Sequence, residues 1–223
     1  MNSPHALDAK REDAKPAKVR GWDRRLSPDA RRQAIMDAAK ALFLSKGYAA
    51  TSLEEIVATS GGSLATLYQL FGNKQGLWEA LVGEVTAMIT APLQDAMSHH
   101  GDPCAALKEY GLRLDALERS RECSGAFRMM LAEGGKYPEL TQALFAKGPD
   151  TSRGILVAYL ETEVAAGRLK IDDTTVATEH FRSLVCADTA LRNACGVLQQ
   201  ASREAIERRI DGVVDLFLKV YGA

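Results

Sequence analysis

Thr51-Ser52-Leu53-Glu54-Glu55-Ile56-Val57-Ala58-Thr59-Ser60-Gly61-Gly62-Ser63-Leu64-Ala65-Thr66-Leu67-Tyr68-Gln69-Leu70-Phe71-Gly72 is the stretch on which the fold of this chain turns. Ser52 and Glu55 stand in the S-x-x-E spacing of a capping box, ahead of Ile56 and Val57. The helix they open is short, because Ser60-Gly61-Gly62 breaks it. Ser63 caps a second short helix, Leu64 to Leu70, and Gly72 ends it. Two brief capped helices joined by a tight glycine turn have the sequence shape of a helix-turn-helix. Within the second, Leu67, Leu70 and Phe71 share one face and are expected to pack inward, leaving Ala65, Thr66, Tyr68 and Gln69 on the remaining arc.

Helical punctuation continues on both sides. Upstream, Ser27-Pro28-Asp29 reads as N-cap, first helical residue and dipole-facing acid, and Ile35, Ala38, Ala39, Leu42 and Phe43 follow at helical spacing until Gly47. Downstream, Asn73 caps a fourth helix carrying Leu77, Trp78, Leu81, Val82 and Val85, which Pro92 either kinks or splits. Further helices are expected from Asp102-Pro103 to Ser120, Ser124 to Ala132, Pro138 to Lys147, Pro149 to Ala166, Asp172 to Cys195 and Ser202 to Tyr221. No segment alternates like a strand, so the fold class is all-α: a three-helix N-terminal bundle followed by a larger helical domain. The expected division is a polar basic arm over 1–26, read as disordered, a helix-turn-helix domain over 27–73, and a helical domain over 74–223 whose 74–98 segment connects the two.

The run from Thr51 to Leu77, with its caps, turn glycine, Thr66-Leu67-Tyr68 core and Lys74 opening the next helix, resembles the TetR family of transcriptional regulators. The resemblance implies sequence-specific binding to double-stranded DNA, a homodimer, and a small-molecule effector held by the larger domain. The residue chemistry is compatible with it. Gln69 can bond an adenine edge bidentately, Thr66 can meet a thymine methyl or an edge acceptor, and Ala65 permits close approach. Tyr68 offers a hydroxyl to phosphate and a ring to sugar or methyl groups. Thr51, Ser52 and Ser63 sit at helix starts suited to phosphates, and Lys74 adds a cation there. Arg24 and Arg25, with Lys18 and Arg20, give the arm a charge that can enter an adjacent minor groove. Two positions depart from the common family pattern: Gly62 stands where an aliphatic residue usually packs in the turn, and Leu64 where a polar or basic residue is frequent.

Charge is distributed in keeping with this reading. Met1 to Trp78 holds 12 Lys and Arg against 8 Asp and Glu, while the remainder holds 16 against 21, so a basic front precedes an acidic back. No apolar run is long enough to span a membrane, and the first twenty residues lack a signal-peptide core, so a cytoplasmic protein is expected. Cys104, Cys123, Cys186 and Cys195 have no metal-ligand spacing and read as small core residues. His99 and His100 are adjacent, and neighbouring helical residues point about 100° apart, so they do not share an ion readily. No metal or other cofactor is expected. No nucleophile elbow, phosphate loop or paired carboxylate motif supports an enzyme.

In the larger domain, Phe127 to Leu140 resembles the C-terminal domains of a TetR subgroup, and Phe127 and Met130 are candidates for an adaptable apolar pocket. Arg128, His180 and Arg182 are its candidate polar anchors, for an acidic or phenolic effector. Phe181, Leu184 and Leu191, with Ile210, Val213, Val214 and Phe217, form apolar stripes on the last two helices. They are the expected dimer interface, as a four-helix contact about a two-fold axis.

Overall fold

A computed structural model describes residues 27–98 and 101–223, so the arm, with Arg24 and Arg25, and the His99-His100 pair lie outside the described residues. Eleven helices are described: α1 (Pro28–Lys46), α2 (Leu53–Ser60), α3 (Leu64–Phe71), α4 (Lys74–Ser98), α5 (Pro103–Glu118), α6 (Arg121–Glu133), α7 (Pro138–Lys147), α8 (Pro149–Ala165), α9 (Thr174–Cys186), α10 (Thr189–Ala194) and α11 (Arg203–Tyr221). There is no strand among the described residues. A single bridge between Leu169 and Gly222, with the Lys170 amide donating to the Tyr221 carbonyl at 2.8 Å, pins the end of α11 to the loop after α8.

Most boundaries fall where polar caps put them. The Ser27 hydroxyl accepts from the Ala30 amide, Asp102 accepts from Cys104, and Ser202 accepts from Ala205. The helix α4 runs through Pro92 without splitting, over the 74–98 span expected of the connecting helix. Two expectations need correction. Ser120, unread as a cap, accepts from the Cys123 amide, so α6 begins three residues before the expected Ser124. The expected single helix from Asp172 to Cys195 is two, because Ala187 takes φ 43° and ψ −121° and diverts the chain into α10. There Asn193 donates to the Glu118 and Ser120 carbonyls, so α10 is held by the α5–α6 corner.

Two apolar cores organise the chain. One belongs to the N-terminal bundle and gathers Ile35, Ala39, Phe43, Ile56, Leu67 and Phe71 with Leu77, Trp78, Leu81 and Val82 of α4. It also takes in Met129 of α6 and Leu140 of α7, and the Trp78 indole donates to the Leu140 carbonyl. The N-terminal core therefore extends past residue 73 and is packed directly against the larger domain. The second core lies among α4, α5, α8, α9 and α11 around Leu93, Tyr110, Leu160, Phe181 and Phe217. Its buried charge is paired: Asp115 receives Arg119 at 2.7 Å and Arg209 at 2.5 Å, and Glu163 receives Arg168.

Candidate nucleic-acid interface

The turn between α2 and α3 is made by Gly61, whose left-handed backbone (φ 74°, ψ 30°) suits a residue without a Cβ. Its amide and that of Gly62 both donate to the Val57 carbonyl, closing α2. Gly62 lies outside the left-handed region, and a Cβ there would make ordinary contact with Ser60 at 3.6 Å and Ile35 at 3.9 Å. The capping box of α2 is formed in both directions, Ser52 accepting from the Glu55 amide at 3.1 Å and Glu55 from the Ser52 amide at 3.3 Å. Lys46, at the end of α1, bonds Glu55 at 2.5 Å, and that bond holds the Glu55 carboxyl below its ordinary value.

Helix α3 buries Leu67 and Phe71 and turns Ala65, Tyr68 and Gln69 outward. Tyr68 is 51% exposed, so about half of its surface is free on the outward side. Leu70, expected inside, is an exposed residue instead. On a helix of two turns the inward arc holds only Leu67 and Phe71, with Leu64 half-buried beside them. The Ser63 hydroxyl accepts from the Thr66 amide and lies 2.9 Å from the Thr66 hydroxyl. Thr66 is thus half-buried and locally engaged, leaving Ala65, Tyr68 and Gln69 as the outward surface.

Other candidates are placed less favourably. Thr51 is 2% exposed and donates to the Gly47 carbonyl at 2.8 Å, so it fastens the α1–α2 loop and has no surface for a phosphate. Ser52 is half-buried, with its hydroxyl proton uncommitted by the cap, since there it acts as acceptor. The Lys74 ammonium lies 4.4 Å from the centre of the Tyr48 ring, and burial lowers its pKa. Burial also pushes the Tyr48 phenol up to about 12, with Glu139 adding to it. Lys74 therefore sits at the seam of the two domains as well as at the start of α4. Sequence reasoning missed Arg32, exposed on α1, whose guanidinium lies 5.5 Å from the Phe71 ring at the end of α3.

A cavity of about 410 Å³ lies between the larger domain and α1 of the N-terminal bundle. Of the expected ligand residues, Phe127, Met130 and Arg182 line it. Arg128 does not: it donates to Ser124 at 2.8 Å and lines an adjoining groove between α1 and α6. His180 does not either, since it lies on an exposed face of α9 and bonds the Tyr221 hydroxyl at 2.7 Å. Cys123 and Cys186 line the cavity, half-buried and pushed up to about 12 by burial, while Cys104 and Cys195 are exposed rather than in a core. Among the described residues, no group of three or more His, Cys, Asp and Glu is arranged to hold a metal ion.

The stripes on the last helices resolve into two sets. Phe181, Ile210, Val213, Val214 and Phe217 are closed off inside the subunit's own core, so they have no surface to give a partner. Leu184 and Leu191 are exposed, and with them Val176 of α9 and Leu216 and Val220 of α11. Periodicity marks that a face is apolar, and the covered and uncovered halves of one helix look alike in sequence.

A capped helix-turn-helix with an outward Tyr68-Gln69 face, set on an all-helical domain with a cavity beside it, defines a DNA-binding regulator. Comparison with known proteins supplies the family. Residues 35–81 match the model of bacterial regulatory proteins of the tetR family, and residues 105–223 match that of the AefR-like transcriptional repressor C-terminal domain. This chain belongs to the TetR family of transcriptional regulators, whose members are not enzymes. It is 28% identical over 158 residues to the uncharacterised HTH-type regulator YvkB of Bacillus subtilis, an alignment covering 68% of this chain and 77% of that one. It is 36% identical over 104 residues to the regulator RutR of Escherichia coli, covering 47% and 48% of the two chains. Among solved structures it is similar to the flavonoid-responsive regulator FrrA, at 28% identity and a TM-score of 0.77 over 87% of this chain and 98% of that one. A TetR-family regulator from Mesorhizobium loti shares the fold at 24% identity and a TM-score of 0.77, over 89% of this chain and all of the other.

Proposed function

We propose that the protein is a ligand-responsive repressor that binds a near-palindromic operator as a homodimer. The outward face of α3 carries this reading: Tyr68 and Gln69 project from a helix whose inner face and N-cap are fixed, so they can enter a major groove with little ordering cost. Gln69 reads a base edge, with Ala65 and Thr66 beside it, while Tyr68, Ser52 and the amides at the start of α3 hold phosphates. Lys74 and, from the arm, Arg24 and Arg25 contribute positive charge. Relatives such as BdcR and ComR of Escherichia coli are named as repressors, which favours repression over activation.

The dimer is built on the exposed apolar residues of α9 and α11, Val176, Leu184, Leu216 and Val220, around the two-fold axis. Gly212 lies one helical turn before Leu216 and allows close approach there. The effector occupies the cavity of about 410 Å³, and FrrA, named as flavonoid-responsive, points to an aromatic effector. No described helix is long and apolar enough to cross a membrane, and a cytoplasmic site of action accords with binding DNA. Operator selection from genomic fragments followed by footprinting tests the reading. A single symmetric protected site, lost on adding an aromatic effector, is expected; salt-sensitive binding without sequence preference would contradict it.

A further inference from the structure

The cavity is walled by both domains. From the larger domain come Leu114, Met130, Phe145 and their neighbours, and from the N-terminal bundle come Lys40, Phe43 and Leu44 of α1. Leu44 is 51% exposed despite its place on a core helix, and lies over bare backbone at Gly125 of α6, where an added Cβ would come within 2.8 Å of it. Trp78, on α4 between the two domains, also faces the cavity.

The charged groups on its walls balance. Glu118, Glu122 and Glu179 are matched by Lys40, Arg153 and Arg182, so neither a cation nor an anion gains from the wall as a whole. Two of these bases are already committed. Arg153 pairs with Asp150 and Glu179, each at 2.8 Å, and Arg182 donates to the Tyr110 hydroxyl at 2.9 Å, which itself donates to the Ser152 carbonyl. Arg182 is thereby fixed in place by α5 and α8, with further guanidinium N–H groups to offer. Opposite in charge, Glu118 lines the same cavity and accepts from the weakly donating Cys186 thiol at 3.7 Å. Burial raises the Glu118 carboxyl above its ordinary value and Arg182 opposes the rise. A second carboxylate brought here would meet Glu118 in a poorly solvated space, whereas a neutral hydroxyl can donate to Glu118 and accept from Arg182.

We propose that the effector is a neutral, hydroxyl-bearing aromatic molecule, anchored by Glu118 and Arg182 and touched directly by Leu44 and Lys40 of α1. The ligand then forms part of the joint between the DNA-binding and effector domains. This rests on the reading of the cavity as the effector site. Its consequence is local: a molecule that presses on α1 alters the seat of α2 and α3 without a relay through the far side of the domain.

The test uses the full chain carrying Trp22→Phe, so that Trp78 is the only tryptophan, with apigenin (a neutral polyhydroxylated flavone) and a carboxylated apigenin analogue as probes. Apigenin is expected to quench Trp78, and the carboxylated analogue to bind about tenfold more weakly. Glu118→Gln is expected to weaken apigenin about tenfold while leaving the carboxylated analogue no weaker, because the repulsion is gone. Leu44→Ala, at an exposed position that does not support a core, is expected to weaken apigenin several-fold. Absence of quenching in the parent, equal binding of the two probes, or an unchanged affinity in both variants would overturn the proposal. Because binding is read without DNA, quenching as expected but without operator release would overturn the repressor reading and leave the anchor standing.

Discussion

Two of the places where one helix gives way abruptly to the next are built in opposite ways. Between α2 and α3 the backbone turns at Gly61 with φ 74°, where a glycine costs nothing sterically, and the Ser63 cap starts the next helix at once. Between α9 and α10 it turns at Ala187 with φ 43° and ψ −121°, a region that an L-residue with a Cβ rarely enters, and Asp188 makes no side-chain cap. The first turn is relaxed and local. The second is strained and is maintained by its surroundings, Asn193 reaching the α5–α6 corner on one side and the cavity lined by Cys186, Ala187 and Ala190 on the other. The helix-turn-helix is thus fixed by its own residues, while one wall of the cavity carries backbone strain at Ala187.

Substitutions at the two turns give the sharpest contrast. Gly61→Val is expected to destabilise the protein by about 2 kcal/mol and to weaken operator binding, because a β-branched residue is forced into the left-handed region. A urea midpoint equal to that of the parent would show that the turn can be made another way. Ala187→Gly should act in the opposite sense, raising stability by roughly 1 kcal/mol as the strain is released, with a changed response to effector. A loss of stability there would mean that the break is not strained. Ser63→Ala should cost about 1 kcal/mol, since it removes the acceptor for the Thr66 amide and frees the Thr66 hydroxyl. Circular dichroism melts measure the loss, and operator selection measures any change of base preference at the Thr66 position.

The adjacent glycine divides the comparison more finely. Gly62→Ala should stabilise by about 0.5 kcal/mol, because its backbone is already that of any residue and the Cβ makes ordinary van der Waals contact with Ser60 at 3.6 Å and Ile35 at 3.9 Å. Opposite signs at Gly61 and Gly62, read by the same melts, would separate the glycine required by conformation from the one that is not. The smallest effect concerns acid. Glu55 has a folded pKa below its ordinary value, so the stability it adds is present at neutral pH and is lost as pH falls through that lowered value. Lys46→Met should move the Glu55 titration, followed by NMR, back up toward the ordinary carboxylate range.

The same contrast explains what the sequence could and could not reveal. Where a residue type announces a backbone state, as at Ser27, Ser52 with Glu55, Gly61, Ser63, Pro138 and Ser202, the helices begin and end as read. Nothing in the Ala187 side chain announces a break, since alanine favours helix and only tertiary packing forces the turn. Faces were legible and their partners were not. The stripe on α11 was visible, but that Ile210, Val213, Val214 and Phe217 serve the subunit's own core, leaving Leu216 and Val220 outside, depends on what packs above them. Similarly, Arg128 and Met130 are two residues apart on α6, and only Met130 reaches the cavity, Arg128 lining the adjoining groove. Glu118 and Leu44 carried no motif, and their importance arises only when α1, α5, α6 and α9 are brought together.

The most direct test of the account is operator selection from randomised duplexes by the parent and by Gln69→Ala, with affinities of the selected sites measured by fluorescence anisotropy at fixed salt. The expected parent site is symmetric, with half-sites about 34–36 Å apart. Gln69→Ala should lose about 1–3 kcal/mol and relax preference at one position in each half-site, with the remaining positions unchanged. An unchanged site and affinity in Gln69→Ala would contradict the assignment of α3 as the helix that reads DNA through its outward face.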